Sequence, residues 1–198
     1  GLTALEMEKK LAIMRSEWAN DSDWPELVHN IRHRVGLNSG EMVTGNMGSS
    51  MRMNYTMMGD TVNLAARLEP AAKHYGVYIL VSEHTQKAVE DFFEWRFLDF
   101  LRVKGKKKPV RGYELISLKN EMTKDQSQLV QAFDEGIKLY NKQEWNKAKK
   151  LFKESLSMEE KFIDRPTTPS EVYLDRCDYF KAEPPGKNWD GIWTMKTK

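Results

Sequence analysis

Asn54-Tyr55-Thr56-Met57-Met58-Gly59-Asp60-Thr61-Val62-Asn63-Leu64-Ala65-Ala66-Arg67-Leu68-Glu69 joins a turn to a helix whose polar residues stand out of pattern. The Gly59-Asp60 pair before a Val/Leu/Ala pattern predicts a helix start, with Asp60 as N-cap or first-turn residue. On that helix Asn63 and Arg67 are four residues apart, so both project from one face. The opposite face carries Val62, Ala65, Ala66 and Glu69, flanked by Leu64 and Leu68, and is small and apolar enough to pack closely on a sheet. Asn63 and Arg67 are then left at the edge of a cleft. Taken alone, such a pair also fits a solvated helix face with an ordinary salt bridge.

The neighbouring blocks decide between these readings. Upstream, residues 34–48 (Arg-Val-Gly-Leu-Asn-Ser-Gly-Glu-Met-Val-Thr-Gly-Asn-Met-Gly) predict two short strands around a tight Asn38-Ser39-Gly40 turn, with glycines where backbones turn sharply or approach closely. Downstream comes Arg102-Val103-Lys104-Gly105-Lys106. In this order and at these spacings, the three blocks resemble the class III adenylyl/guanylyl cyclase catalytic domain. The resemblance covers about the first 117 residues and is densest from Arg34 to Glu69, a longer signature than a short motif provides.

That resemblance implies an α+β, ferredoxin-like domain that converts a nucleoside triphosphate to a 3′,5′-cyclic monophosphate and pyrophosphate. Relatives usually act as dimers with composite sites at the interface. Arg67 matches the family arginine that stabilises the charged transition state, a task suited to a planar, permanently charged fork of donors. Asn63 matches the asparagine that positions the ribose, where an amide offers both donor and acceptor. Thr56 falls where the family reads the purine edge, and a hydroxyl there favours ATP. The second purine-reading residue, a lysine, is expected in a segment this chain does not contain. Lys104 and Lys106 both fit the family lysine that grips the terminal phosphates. They lie in the Lys104–Lys108 run between strand-like segments 95–103 and 110–116, which equally fits a solvated hairpin turn.

The family binds two Mg²⁺ or Mn²⁺ ions through two aspartates, both expected upstream of residue 1. Residues 1–20 predict an amphipathic helix on Leu2, Leu5, Leu11, Met14 and Trp18, matching the helix that follows the second metal position. Asp21, Asp23, Asp60, Asp91 and Asp99 sit in the wrong motif context to replace the missing ligands, and Asp60 reads as a helix cap. The expectation is therefore an adenylate cyclase fragment with no metal ligands of its own and no activity alone, the alternative being a catalytically inactive cyclase-homology domain that binds nucleotide and regulates, or a helical interaction scaffold. It would act as a homodimer or with a complementary cyclase fragment.

Composition excludes several other classes. The 31 basic and 29 acidic residues leave a net charge of +2, without the excess that marks nucleic-acid binding. No apolar run reaches the ~18–20 residues of a spanning helix, so this segment predicts no membrane contact. The lone Cys177 reads as a buried small apolar residue and fits a cytoplasmic setting. None of His29, His33, His74 and His84 has a catalytic context.

A polar stretch over 120–128 is the expected linker between the cyclase part, 1–119, and a small all-α module, 129–198. Phe133, Gly136, Tyr140, Trp145, Ala148, Phe152 and Leu156 alternate large and small, as in two interlocking helices, and resemble one tetratricopeptide unit. Ser170 is the expected cap of a third helix through Phe180. One such unit cannot bury its own face, which predicts packing against the cyclase part or its dimer mate, with a peptide-binding groove as the other reading. The tail from Pro184 to Trp193 mixes breakers with two tryptophans and predicts an irregular segment docked on a surface.

Overall fold

The computed structural model describes residues 1–101, 109–159, 167–186 and 188–193. In chain order the elements are α1 (Leu2–Ala19), α2 (Glu26–His29), β1 (Val35–Leu37), β2 (Val43–Ser49), β3 (Arg52–Met58), α3 (Asp60–Tyr75), β4 (Ile79–Ser82), α4 (Glu83–Ala88), β5 (Phe93–Leu101), β6 (Val110–Leu118), α5 (Lys124–Asn141), α6 (Trp145–Met158) and α7 (Pro169–Ala182). Four strands form a sheet in the order β1-β4-β6-β5, with β1 and β4 parallel and the other pairs antiparallel. The β2–β3 hairpin forms a separate two-stranded sheet. Strands β1 and β2 therefore do not pair around the Asn38-Ser39-Gly40 turn. Each takes a partner later in the chain.

Strand alternation gives the sheet two apolar faces. On one, Leu80, Leu98 and Leu101 pack with Leu64, Leu68, Ala72 and Tyr75 of α3 and with Val172 of α7. On the other, Ile79, Val81, Phe93 and Leu115 pack with Ala4 and Leu5 of α1. The buried stripe of α3 is thus Leu64, Leu68, Ala72 and Tyr75, while Ala66 on the expected inner face is exposed. The larger side chains fill the space over the sheet. Close approach still occurs at Gly36, where a Cβ would lie 2.6 Å from the Ala65 carbonyl oxygen and 2.7 Å from the Glu69 nitrogen.

Helices α5 to α7 form a second core of Phe133, Ile137, Tyr140, Ala148, Phe152, Tyr173, Cys177 and Phe180. The large/small pattern has a direct cause, since a Cβ on Gly136 would come 2.7 Å from the Phe152 ring. Phe152 and Tyr173 stack at 5.0 Å between centroids. Helix α5 begins inside the polar stretch, with Thr123 and Gln126 forming a reciprocal capping box. The cap of α7 is Thr168 with Glu171, not Ser170. Ser170 is buried and donates its hydroxyl to Glu159 at 2.7 Å. Cys177 is fully buried, and burial pushes its thiol up to about 12. Trp189 and Trp193 pack against this core, so the tail is docked.

Two buried charge networks join these helices to the sheet. Arg96 of β5 meets Glu114 of β6 at 2.6 Å and Glu159, at the end of α6, at 3.0 Å. Burial works against the Arg96 charge, and the two carboxylates outweigh it, holding the guanidinium above its ordinary range. Arg176 of α7 meets Asp99 of β5 at 2.6 Å.

Gly36→Ala is expected to force α3 away from β1, costing about 1–3 kcal/mol in urea denaturation. A pH effect centres on Asp134 of α5. Burial raises its carboxyl to about 6, against opposing pulls from Lys138 and Arg96. Because the folded state holds that proton more tightly than the unfolded chain, the stability it contributes at low pH is lost as pH rises from about 4 to about 6. Asp134→Asn should raise the urea midpoint more at pH 7 than at pH 4.

Candidate functional site

Strand β3 feeds α3 through Gly59, which stands at the N-cap with φ of 151°. Asp60 is the first helical residue, in keeping with a first-turn carboxylate at the positive end of a helix. Asn63 is exposed and Arg67 half-buried, one turn apart on the same face. Neither side chain has a hydrogen bond or ion pair among the described residues. Thr56 is exposed on β3, opposite Gly45 of β2. The structure brings Asn63 and Arg67 together on one helix face and sets Thr56 one strand-to-helix turn away, with no bond joining it to either. Lys104 and Lys106 lie outside the described residues.

The N-terminal half of α3 is fixed from two sides. Arg34 donates through Nε to Glu69 at 2.9 Å. Asn38 donates its amide to the Thr61 carbonyl at 2.9 Å, while its own Oδ1 accepts from the buried Ser82 hydroxyl at 2.5 Å. Ser82 also caps α4, accepting from the Thr85 backbone. One amide thereby connects the turn after β1, the first turn of α3 and the end of β4. Asn38 lies in the turn the sequence predicts, and its bond to Ser82 across 44 residues left no local signal.

The C-terminal half is fixed by buried polar groups that the sequence reading missed. The Tyr75 hydroxyl donates to Asp99 Oδ2 at 2.6 Å. Arg176 donates through Nη1 to the same oxygen at 2.6 Å and through Nη2 to the Tyr75 oxygen at 3.2 Å. Burial first, and then the Asp99 charge, push the Tyr75 hydroxyl well above its ordinary range, so it stays a donor. Asp99, one of the unassigned acids, is thus an ion-pair partner.

A divalent ion needs several oxygen donors converging on one point. Among the described residues no group of three His, Cys, Asp or Glu side chains does so, and they do not fit the two ions the resemblance implies. A cavity of about 460 Å³ between α1, the sheet and α5 is lined by Glu8, Arg96, Glu114 and Glu159, among others, and by none of Thr56, Asn63 and Arg67. Among the described residues no helix is long and apolar enough to cross a membrane.

A family model described as the adenylate and guanylate cyclase catalytic domain matches residues 2–117. The chain belongs to that family. It is 33% identical over 147 residues to "Adenylate cyclase, terminal-differentiation specific" of Dictyostelium discoideum, covering 72% of this chain and 7% of the relative. Adenylate cyclase 1 of Rhizobium meliloti is 35% identical over 115 residues, 58% of this chain and 16% of its own length. The crystal structure of the adenylyl cyclase CyaB from P. aeruginosa is 29% identical, with a TM-score of 0.47, over 60% of this chain and 58% of that one. The chain spans less than a fifth of the length of these two curated relatives.

Asn38→Ala is expected to cost about 1–3 kcal/mol in urea denaturation, because it removes two bonds and takes a partner from a buried hydroxyl. Ser39→Ala, which removes only the exposed bond to Thr85, should stay within about 0.5 kcal/mol.

Proposed function

We propose that the chain provides the substrate-binding side of an adenylate cyclase, which converts ATP to 3′,5′-cyclic AMP and pyrophosphate. The observation that carries the reading is the Asn63/Arg67 face of α3: a half-buried guanidinium with no partner of its own among the described residues, one turn from an exposed amide. Family membership supports nucleotide cyclisation in general. The names of the relatives, adenylate cyclases of Dictyostelium discoideum and Rhizobium meliloti, support ATP.

In the reaction the ribose 3′-oxygen bonds to the α-phosphorus as the bond from that phosphorus to the pyrophosphate oxygen breaks, and the 3′-hydroxyl proton leaves. Catalysis of this step is positioning plus charge stabilisation. Arg67 neutralises charge gathering on the α-phosphate oxygens. Asn63 holds the ribose so that the 3′-oxygen lies in line. The Thr56 hydroxyl meets the adenine edge, and Lys104 and Lys106 hold the leaving phosphates. Mg²⁺ or Mn²⁺ would bind to aspartates outside this chain.

The wider arrangement follows the same reading. Residues 1–119 are part of a ferredoxin-like cyclase domain completed by sequence outside this chain, and it works as a homodimer or with a complementary cyclase fragment. The polar stretch after residue 119 links it to a tetratricopeptide-like module that starts with α5 at Lys124. The segment has a cytoplasmic setting.

In the chain combined with a segment carrying the metal aspartates, Arg67→Ala should lower turnover about 10²–10³-fold, the scale of losing one oxyanion donor. Affinity for a non-cyclisable ATP analogue should change only a few-fold. Full turnover in Arg67→Ala would remove the assignment. Thr56→Cys should move the ratio of ATP to GTP turnover toward GTP, and an unchanged ratio would count against a base-reading role.

A further inference from the structure

Helix α3 has two unequal halves. Asn63 and Arg67 lie on the N-terminal half, and Tyr75 ends the other, eight residues beyond Arg67 and ~12 Å along the axis. Pro70 sits between them inside the helix. It has no N–H to offer the Ala66 carbonyl, so the helix is least well held where the two halves meet. Arg34 and Asn38 bond the half before Pro70, whereas beyond it Ala72 packs on the sheet, and apolar packing defines axial position loosely compared with directed bonds.

The directed bonds at the far end come from the C-terminal helices. Arg176 of α7 is 3% exposed and holds both Asp99 and the Tyr75 hydroxyl. Its guanidinium also lies 4.9 Å from the Tyr173 ring centroid and 5.2 Å from that of Trp193. Tyr173 in turn donates to the Leu98 carbonyl of β5 at 2.7 Å. The tail that carries Trp193 is tied back by Gln143, which donates to the Gly186 carbonyl at 2.8 Å. The end of α3 is therefore enclosed by β5, α7 and the tail around a single cation.

We propose that Arg176 is a positioning residue for the Asn63/Arg67 face: through Asp99 and Tyr75 it fixes α3 beyond Pro70, so that the C-terminal helices and tail set the placement of the substrate-side groups. This rests on the reading of Asn63 and Arg67 given above. The helical segment is then part of the catalytic unit, and displacement of α7 or of Trp193 changes turnover without any contact to nucleotide.

The test separates coupling from general stability. Hydrogen exchange of the 198-residue chain is followed at α3, with β4 and α6 as references, in Tyr75→Phe, Arg176→Met and Tyr173→Phe. Tyr75→Phe keeps the ring and should fold even if Arg176→Met, which strands a buried carboxylate, does not. Exchange at α3 should rise about 3–30-fold more than at β4 and α6 in Tyr75→Phe. In Tyr173→Phe, which loosens α7 from β5 but leaves the Tyr75 hydroxyl in place, exchange at α3 should also rise more than at β4 and α6, by a smaller factor.

In the reconstituted cyclase, Tyr75→Phe should lower kcat about 3–30-fold with KM within twofold. Uniform exchange across the three elements, or lost turnover without faster exchange at α3, would overturn the proposal. If the wild-type mixture makes no cyclic nucleotide, the cyclase reading fails on its own, and the exchange result still decides whether the Tyr75 bonds to Asp99 and Arg176 hold α3.

Discussion

Asp99 and Arg176 face each other at 2.6 Å with both side chains 3% exposed. Removing two charges from water costs several kcal/mol per ion, and their attraction offsets this only where the geometry is good and the remaining donors are used. Here the second Arg176 nitrogen goes to Tyr75, whose hydroxyl goes back to Asp99, and the Asp99 Oδ1 accepts from the Phe100 backbone at 2.7 Å, while the buried Arg176 Nε has no hydrogen-bond partner among the described residues. Breaking the pair by removing one partner is the costly change, about 3–5 kcal/mol for a buried pair. Three segments far apart in sequence, α3, β5 and α7, are consequently held to one mutual placement.

That constraint matters because of where α3 begins. Its first half sits against β1 at a distance only a glycine at position 36 permits, and the Asn38 amide bonds to the Thr61 carbonyl within its first turn. Its last residue is bonded to Asp99 and Arg176. A helix held at both ends over a closely packed sheet presents Asn63 and Arg67 in a fixed direction, as the proposed transition-state contact would require. The Arg96–Glu114–Glu159 network acts beside it, setting the end of α6 and the start of α7 against β5 and β6.

Local patterns made much of this legible. Gly59-Asp60 marked the start of α3, and the Gly136/Phe152 alternation reflected a real interlocking of α5 and α6. The inward face of α3 was misplaced because the residue choice followed size, whereas Leu64, Leu68 and Ala72 fill the gap over the sheet. The buried charges were not legible for a physical reason. A register shift between Phe97 and Asp99 breaks the strand alternation, so the consecutive side chains Leu98 and Asp99 are both buried on the α3 face. Arg176 lies in a helix otherwise readable from its apolar residues, and nothing local distinguishes a buried arginine from a solvated one. The strands at 34–48 were misjoined because a turn signal reports a reversal of direction, not which strand becomes the neighbour.

We propose that Asn63 and Arg67 serve a cyclase whose metal-binding side lies outside this chain. Cyclic AMP formation from ATP with Mn²⁺ or Mg²⁺ tests it most directly, measured for the 198-residue chain alone and mixed with a separately made segment bearing the metal aspartates. Cyclic AMP from the mixture only is the predicted result. Turnover by the chain alone would contradict the division of metal and substrate groups, and silence in both would contradict the cyclase reading itself.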